Sequence, residues 1–202
     1  MVDNNIQVVI MCKAPMAGRV KTRLMRDFSA IEAAKLHAAM ATTVIQRAKR
    51  LFESVVVAAD DPTHPFFAGF GVEVTTQGEG DLGDRMQRQV KRAFDDGVDA
   101  VVLLGTDSPH MQDQRLLDAT SQLQDYDIVL GPVEDGGYDL LAMSAAYPLF
   151  DGIPWSTIQV LDRTVQMAKE LHCSIGLLEV SFDIDVTSDL ERAEALGWHR
   201  VS

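Results

Sequence analysis

The sequence predicts an α/β protein built as a three-layer α/β/α sandwich. Strand-like apolar runs alternate with helix-like segments, and this alternation is typical of helices packed on both faces of a sheet. Several runs, among them VVIMC at 8–12 and VVLLG at 101–105, are apolar on both faces, as expected of strands that helices cover on both sides. A length of 202 residues fits one domain, so residues 1–202 are predicted as a single unit.

The individual elements follow from local pattern. The predicted strands are Ile6–Cys12, Ser54–Ala59, Val72–Thr76, Ala100–Gly105, Asp127–Gly131, Tyr138–Met143 and Ile175–Glu179. The first predicted helix opens with the capping-box pattern Ser29-Ala30-Ile31-Glu32 and runs to about Leu51. The other predicted helices are Leu82–Phe94, Gln112–Leu123, Ile158–Leu171 and Ser188–Leu196. In open α/β sheets ligands bind beyond the C-terminal ends of strands, so the loops that follow strands are expected to carry function.

Composition excludes several classes of protein. The net charge of -12 would repel phosphate backbones and anionic lipids, so neither nucleic acid nor a membrane surface is an expected partner. A small phosphorylated ligand remains compatible with a local cationic pocket. The chain shows no apolar stretch near the ~20 residues of a membrane span and no signal-peptide pattern, which predicts a cytoplasmic location. Two cysteines, Cys12 and Cys173, are too few for a disulfide framework or a zinc site.

The loop after the first predicted strand, KAPMAGRVKTRL at 13–24, gathers cations in an acidic protein. Gly18 allows backbone N–H groups to approach an anion, while Arg19, Lys21 and Arg23 supply positive charge. This predicts a phosphate-binding loop. The alternative is a solvated basic loop that pairs with surface acids.

Carboxylates follow two later apolar segments. Asp107, in LLGTDSPHM at 103–111, comes directly after a strand and suits a hard cation such as Mg²⁺ or Mn²⁺, although it could simply cap a turn. Asp183 and Asp185, in FDIDVTSDLERA at 182–193, would share one face if this segment is a strand. One of the two is expected to meet Asp107. Thr187 or Ser188 is the predicted N-cap of the last helix.

Two glycine-rich segments and the histidines leave alternatives open. QGEGDLGDRM at 77–86, with Gly78 and Gly83, is predicted to shape a nucleotide pocket, unless it is a flexible surface connection. The turn EDGGY at 134–138 is either part of the site or a plain hairpin turn. PWST at 154–157 is interpreted as a helix entry with Ser156 or Thr157 as cap. The five histidines form no metal-ligand pattern and are interpreted as surface or packing residues.

Six motifs in order carry a resemblance over most of the chain, from about Val8 to Leu196: KAPMAGRVKTRL, QGEGDLGDRM, LGTDSP, GPVEDGGYDLL, PWST and FDIDVTSDL. They resemble the transferase 1 family, which is associated with radical-SAM and selenium-related gene neighbourhoods and is glycosyltransferase-like. That family is part of the nucleotide-diphospho-sugar transferase superfamily. The resemblance implies the GT-A fold, with a mostly parallel mixed sheet.

The resemblance also implies roles for individual residues. In this reading Gly18, Arg19, Lys21 and Arg23 bind the phosphates of a nucleotide, and Asp107 and Asp185 hold Mg²⁺ or Mn²⁺. The acceptor side is formed by Asp135, Gly136, Gly137 and Tyr138. The expected catalytic residues are Lys21, Asp107 and Asp135.

Two reactions of a nucleotide or nucleotide-sugar donor with a small-molecule acceptor fit these residues. In glycosyltransfer the acceptor attacks the sugar and a nucleoside diphosphate leaves, whereas in nucleotidyltransfer it attacks the α-phosphate of an NTP and pyrophosphate leaves. Both rely on positioning and electrostatics, and neither needs a protein nucleophile. A non-catalytic nucleotide-binding module is the third hypothesis.

Overall fold

A seven-stranded mixed sheet forms the centre of the protein. The computed structural model describes residues 5–199. The strands are β1 Ile6–Cys12, β2 Ser54–Ala59, β3 Glu73–Thr76, β4 Ala100–Leu104, β5 Ile128–Pro132, β6 Tyr138–Met143 and β7 Ile175–Leu177. They lie in the order β3-β2-β1-β4-β6-β5-β7. Strand β6 runs antiparallel to both of its neighbours, β4 and β5, and the other strand pairs of this sheet are parallel.

Within residues 5–199, five α-helices and two 3₁₀ helices accompany the strands. The α-helices are α1 Ala30–Leu51, α2 Leu82–Asp95, α3 Asp113–Gln122, α4 Val160–Glu170 and α5 Thr187–Ala195. The 3₁₀ helices are Thr22–Arg26 and Pro65–Gly69. The predicted capping box at Ser29 is present, since its hydroxyl accepts from the N–H of Glu32 and the Glu32 carboxylate accepts from the N–H of Ser29. None of the helices in residues 5–199 is long and apolar enough to cross a membrane.

Two apolar layers cover the faces of the sheet, and this confirms the predicted three-layer α/β/α class. Residues of α1 and α3, such as Ile45 and Leu116, pack on one face, and residues of α2 and α4, such as Val90 and Ala168, pack on the other. A third apolar cluster joins Leu24 of the first 3₁₀ helix to Ile184 and to α5. The third cluster therefore fixes the basic loop after β1 beside the segment that carries Asp183 and Asp185.

The predicted N-caps of the last two helices are wrong. Helix α5 follows Val186, and the carboxylate of Asp189 in its first turn accepts from the N–H groups of Asp185 and Val186. Helix α4 begins at Val160, after Gln159, whose side chain makes no capping bond. For α4, the left-handed backbone of Ser156, with φ 64°, is incompatible with a helix, so the helix begins only after it.

Candidate functional site

A cleft of about 810 Å³ opens where the C-terminal ends of β1 and β4 meet the N-terminal end of β6. The antiparallel direction of β6 is what brings its first residues to this edge. The chain leaves β1 toward β2 on one side and later returns to β4 on the other, so the cleft lies at the point where strand order reverses. This is the usual position of ligand sites in open α/β sheets.

Lys21 links its own loop after β1 to two segments that are distant in sequence, those that carry Asp107 and Asp185. Its Nζ lies 2.8 Å from Oδ1 of Asp107 and 3.7 Å from Oδ1 of Asp185, and it donates to the carbonyl oxygen of Ile184 at 2.7 Å. Only 5% of the Lys21 side chain is exposed. The other oxygen of Asp185 accepts from Nη1 of Arg23 at 2.5 Å. Of the two acids expected to meet Asp107, Asp185 is therefore the one that shares its cation.

Hydrogen bonds hold the two acidic segments together. The N–H of Ile184 donates to the carbonyl oxygen of Asp107 at 2.9 Å, and Ile184 is fully buried. Residues 182–185 do not form the strand that the alternation suggested. Nevertheless Asp183 and Asp185 both line the cleft, on either side of the buried Ile184. Asp183 and Asp185 both face the cleft because Ile184 between them is packed into the third apolar cluster.

The environments of Asp107 and Asp183 drive their pKa values in opposite directions. Burial opposes ionisation of Asp107, but the charge and hydrogen bond of Lys21 outweigh it, so the pKa of Asp107 lies below its usual value. Asp183 accepts from the hydroxyl of Ser108 at 2.6 Å. Burial, together with the nearby carboxylates of Asp107 and Asp139, nevertheless raises the pKa of Asp183 to about 7.

The sequence suggested a cationic pocket, but the lining of the cleft carries both cations and carboxylates. Among the described residues, the lysines and arginines that line it all come from the loop after β1: Lys13, Arg19, Lys21 and Arg23. Five carboxylates face them: Asp107, Asp135, Asp139, Asp183 and Asp185. The cations lie on one loop and are evident in the sequence, whereas folding brings acids from three other segments into the same cleft.

The EDGGY segment is both a hairpin turn and a wall of the cleft. It joins the antiparallel strands β5 and β6, and Oδ1 of Asp135 accepts from the N–H of Gly137 at 2.9 Å. Asp135, Gly137 and Tyr138 line the cleft, whereas Gly136 does not. Gly136, with φ 88°, packs so closely on the carbonyl of Ile158 that a side chain would overlap it. The turn is thus fixed against the segment that enters α4.

The QGEGDLGDRM segment is held in place by Arg88, which lies on α2 just beyond it. Arg88 donates to the carbonyl oxygens of Gln77 and Glu79 at 2.6 and 3.0 Å. Neither Gly78 nor Gly83 lines the cleft; Gly78 lies against the guanidinium of Arg88, and Gly83 packs on Phe150 and Trp155. The segment reaches the cleft through Leu82 and Met86 instead. Gly18, with φ 80°, also lies off the wall.

His37 is a cleft residue that the sequence analysis assigned to packing. It lies on α1, is 4% exposed, and its Nε2 is 2.9 Å from the carbonyl oxygen of Lys13. A carbonyl only accepts, so Nε2 donates and the buried Nδ1 is left as an acceptor without a partner. Burial lowers the pKa of His37. No local pattern in the sequence indicates that the cleft reaches His37.

Comparison with known families identifies the chain. Residues 41–157 match the family described as "Uncharacterized protein conserved in bacteria (DUF2064)". The chain belongs to the DUF2064 family. A search of curated proteins finds no match to it.

Solved structures similar to this DUF2064 protein share its fold. A candidate nucleotide-diphospho-sugar transferase from Desulfovibrio desulfuricans G20 is 30% identical, with 96% of this chain and 94% of that chain covered and a TM-score of 0.85. CMP:2-keto-3-deoxy-manno-octonic acid synthetase, complexed with CTP, has a TM-score of 0.64 at 14% identity, over 96% and 98% of the two chains. Glucosyl-3-phosphoglycerate synthase from Mycobacterium tuberculosis, complexed with Mn²⁺, UDP and glucosyl-3-phosphoglycerate, has a TM-score of 0.61 at 12% identity, over 96% and 76%.

These similarities confirm the predicted fold and superfamily. The DUF2064 protein has the α/β architecture of nucleotide-diphospho-sugar transferases, and its structural neighbours include both nucleotidyl- and glycosyltransferases. The two distant neighbours establish the fold alone, and a fold of this kind supports more than one reaction.

The donor set of the cleft fits a metal ion only in part. Within residues 5–199 there is no group of three or more His, Cys, Asp or Glu side chains that could hold a metal. Asp107 and Asp185 nevertheless converge on one ammonium group, at 2.8 and 3.7 Å. Magnesium is usually bound by one or two carboxylates together with substrate phosphates, so this pair suits an ion that arrives with a phosphorylated ligand.

Proposed function

We propose that this DUF2064 protein is a divalent-metal-dependent transferase of the glycosyltransferase-like kind, which moves a group from a nucleotide-sugar or NTP donor to a small-molecule acceptor. The observation that carries the proposal is the convergence of Lys21, Asp107 and Asp185 at the reversal of strand order. A cation and two carboxylates at this point match the requirements of a metal-bound diphosphate.

Each part of the cluster has a role in this proposal. Asp107 and Asp185 hold Mg²⁺ or Mn²⁺, which when bound neutralises charge on the phosphate leaving group. Lys21, with Arg19 and Arg23 on the same loop, would also stabilise that charge. The acceptor attacks the donor directly, without a covalent enzyme intermediate.

The charge balance supports a metal requirement. Among the described residues, four cations and five carboxylates line the cleft, so the lining offers a di- or triphosphate no excess of positive charge. A divalent ion that enters with the phosphates changes that balance in favour of binding.

The acceptor wall favours a hydroxyl acceptor and hence glycosyltransfer. Of the described residues, those that line this wall include Asp135, Tyr138 and the stretch 155–158, and none of them is basic. An acceptor phosphate would find no partner there, whereas a hydroxyl could donate to the exposed carboxylate of Asp135. We assign Asp135 as the acceptor-side base.

Nucleotidyltransfer is the second candidate, and the distribution of cations favours it. Lys13, Arg19, Lys21 and Arg23 all lie on the loop after β1. So many cations on one wall suit the greater negative charge of a triphosphate, from which pyrophosphate would leave.

Donor binding and product analysis separate these hypotheses. Calorimetric titration with NTPs and with UDP-, GDP- and ADP-sugars, in Mg²⁺ and in EDTA, should show one donor whose affinity depends on the metal. Release of nucleoside diphosphate supports glycosyltransfer, and release of pyrophosphate supports nucleotidyltransfer. Metal-dependent binding without turnover of any acceptor supports the non-catalytic module, and absence of binding to every donor contradicts all three.

A further inference from the structure

We propose that Lys21 occupies the place of the divalent cation when no nucleotide is bound, so that the metal enters the cleft only together with the phosphates of the donor. This inference rests on the proposed function, because it uses the metal role of Asp107 and Asp185. It adds that the species the cleft accepts is the metal–nucleotide complex, and that free metal is excluded.

The ammonium group of Lys21 fills the space between the two carboxylates. Three oxygens surround Nζ: Oδ1 of Asp107 at 2.8 Å, the carbonyl oxygen of Ile184 at 2.7 Å, and Oδ1 of Asp185 at 3.7 Å. Asp107 and Ile184 lie within hydrogen-bond distance of the ammonium, whereas Asp185 at 3.7 Å interacts with it through charge alone. With only 5% of its side chain exposed, Lys21 blocks the point where the carboxylates converge.

The backbone directs Lys21 into this position. Lys21 has the left-handed conformation, with φ 48° and ψ 43°, directly before the 3₁₀ helix Thr22–Arg26. Non-glycine residues rarely adopt it, and where they do the surrounding structure enforces it. The carbonyl oxygen of Lys21 accepts from the N–H of Leu24, which is fully buried in the third apolar cluster. The inward course of the side chain is therefore built into the fold.

A free divalent ion has to displace Lys21 from its carboxylates, whereas a metal–nucleotide complex offers Lys21 a new anionic partner. Asp107 is already paired with Lys21, and Asp185 is paired with Arg23, so a free ion would have to displace a buried ammonium and deprive it of its carboxylate partners. A donor that brings phosphate oxygens offers the ammonium a new anionic partner and frees the carboxylates for the metal. The metal then binds because Lys21 exchanges its carboxylate partners for phosphate oxygens.

Manganese binding to the full chain tests the inference without any acceptor or turnover. Free Mn²⁺ is measured by electron paramagnetic resonance during titration of the wild type, Lys21→Met and Arg23→Met. We expect no saturable Mn²⁺ binding by the wild type without nucleotide over the titrated range. Lys21→Met should bind Mn²⁺ with a dissociation constant at least about tenfold below the upper end of that range, because a buried like charge has been removed. Arg23→Met is the matched control, since Arg23 also pairs with Asp185 but its side chain is 66% exposed. It should gain little.

Several results would overturn the inference. They are wild-type binding of Mn²⁺ without nucleotide, equal gains in both variants, or no gain in Lys21→Met. The wild-type measurement decides even if Lys21→Met folds poorly, and Lys21→Gln provides a second variant. The double variant Lys21→Met with Asp107→Asn should lose the gained site.

The proposed function can fail separately from this inference. If Lys21→Met gains the Mn²⁺ site but no nucleotide donor binds to the wild type, the exclusion of free metal by Lys21 stands and the transferase proposal falls. If a donor binds with Mg²⁺ but the wild type also binds Mn²⁺ alone, the transferase proposal stands and the inference falls.

Discussion

Arg115 and Asp139 form a buried ion pair beside the cleft, with 3.0 Å between Nη2 and Oδ1 and with only 2% of the Asp139 side chain exposed. Arg115 also donates to the carbonyl oxygens of Pro132 and Glu179, so it joins α3 to the ends of β5 and β6 and to the segment after β7. Burial raises the pKa of Asp139 to about 6, although Arg115 opposes the rise.

Loss of this carboxylate should destabilise the fold strongly. We expect Asp139→Asn to lower the free energy of unfolding by about 3 to 5 kcal/mol, because Arg115 would keep a buried charge without its counter-ion. Denaturant titration measures the change. Asp95→Asn is the control, since its pair with Lys91 is exposed and should contribute less than about 1 kcal/mol. Equal effects of the two substitutions would contradict the prediction.

Gly136 should tolerate no side chain, because its position is limited both by its backbone and by close packing. Gly97 has the same φ of 88°, but no heavy atom lies within 4 Å of the point that a Cβ would occupy, so Gly97→Ala reports the backbone cost alone, about 1 kcal/mol. We expect Gly136→Ala to cost about 2 to 4 kcal/mol, because a Cβ would also overlap the carbonyl of Ile158. Thermal unfolding of both variants would show the difference, and similar losses would contradict the packing argument.

His110 should reduce the stability of the protein in mild acid, against the opposite effect of Asp139 and Asp183, whose raised pKa values favour the native state as pH falls. Its ring stacks on Phe182 with 3.9 Å between centroids, and both ring nitrogens are buried without partners. Burial, and then nearby arginines, lower the pKa of His110 from 6.5 to about 4. Between these values the unfolded chain binds a proton that the native protein does not, so up to about 3 kcal/mol is lost as pH falls from about 6.5 to 4.

Substitution of His110 by an apolar ring tests this explanation. His110→Phe keeps the stack on Phe182 and removes the titrating group, so its unfolding free energy should rise relative to that of the wild type, by up to about 3 kcal/mol, as pH falls through that interval. The same change at the exposed His199 serves as control. An unchanged pH profile in His110→Phe would assign the acid sensitivity to other groups.

Asp107 should control metal-dependent binding rather than folding. We expect Asp107→Asn to weaken donor binding in Mg²⁺ by at least about tenfold, the low end of what even indirect contacts to a metal contribute, and to leave binding in EDTA almost unchanged. Calorimetry measures both affinities, and circular dichroism checks the fold. Asp162→Asn is the control, because Asp162 is exposed on α4 and does not line the cleft. Full metal dependence in Asp107→Asn would remove Asp107 from the site.

The sequence was most informative where a signal is local. All seven predicted strands are present, with bounds within two residues, because unbroken apolar runs such as VVIMC record burial on both faces. It was less informative at the N-caps of α4 and α5. Neither the left-handed backbone of Ser156 nor the hydrogen bond from the N–H of Asp185 to the Asp189 carboxylate is visible in the local sequence, which offers Thr157 and Thr187 as ordinary caps.

The features of the cleft also fall into those that local sequence predicts and those that it does not. That Asp107 and Lys21 line the cleft was predictable, because Asp107 follows a buried strand and Lys21 lies in the basic loop after another. The antiparallel course of β6, the burial of His37 beside the cleft and the pairing of Arg115 with Asp139 were not.

By itself, then, the amino-acid sequence determined the kind and order of the elements and which loops hold charged groups, because both depend on residues that are neighbours in the chain. The tertiary structure alone decided that Lys21 lies between Asp107 and Asp185, and that acids balance the cations of the cleft. These contacts depend on strand order and on the third apolar cluster, which bring distant segments within a few ångströms of each other, and no local pattern of residues records such distances.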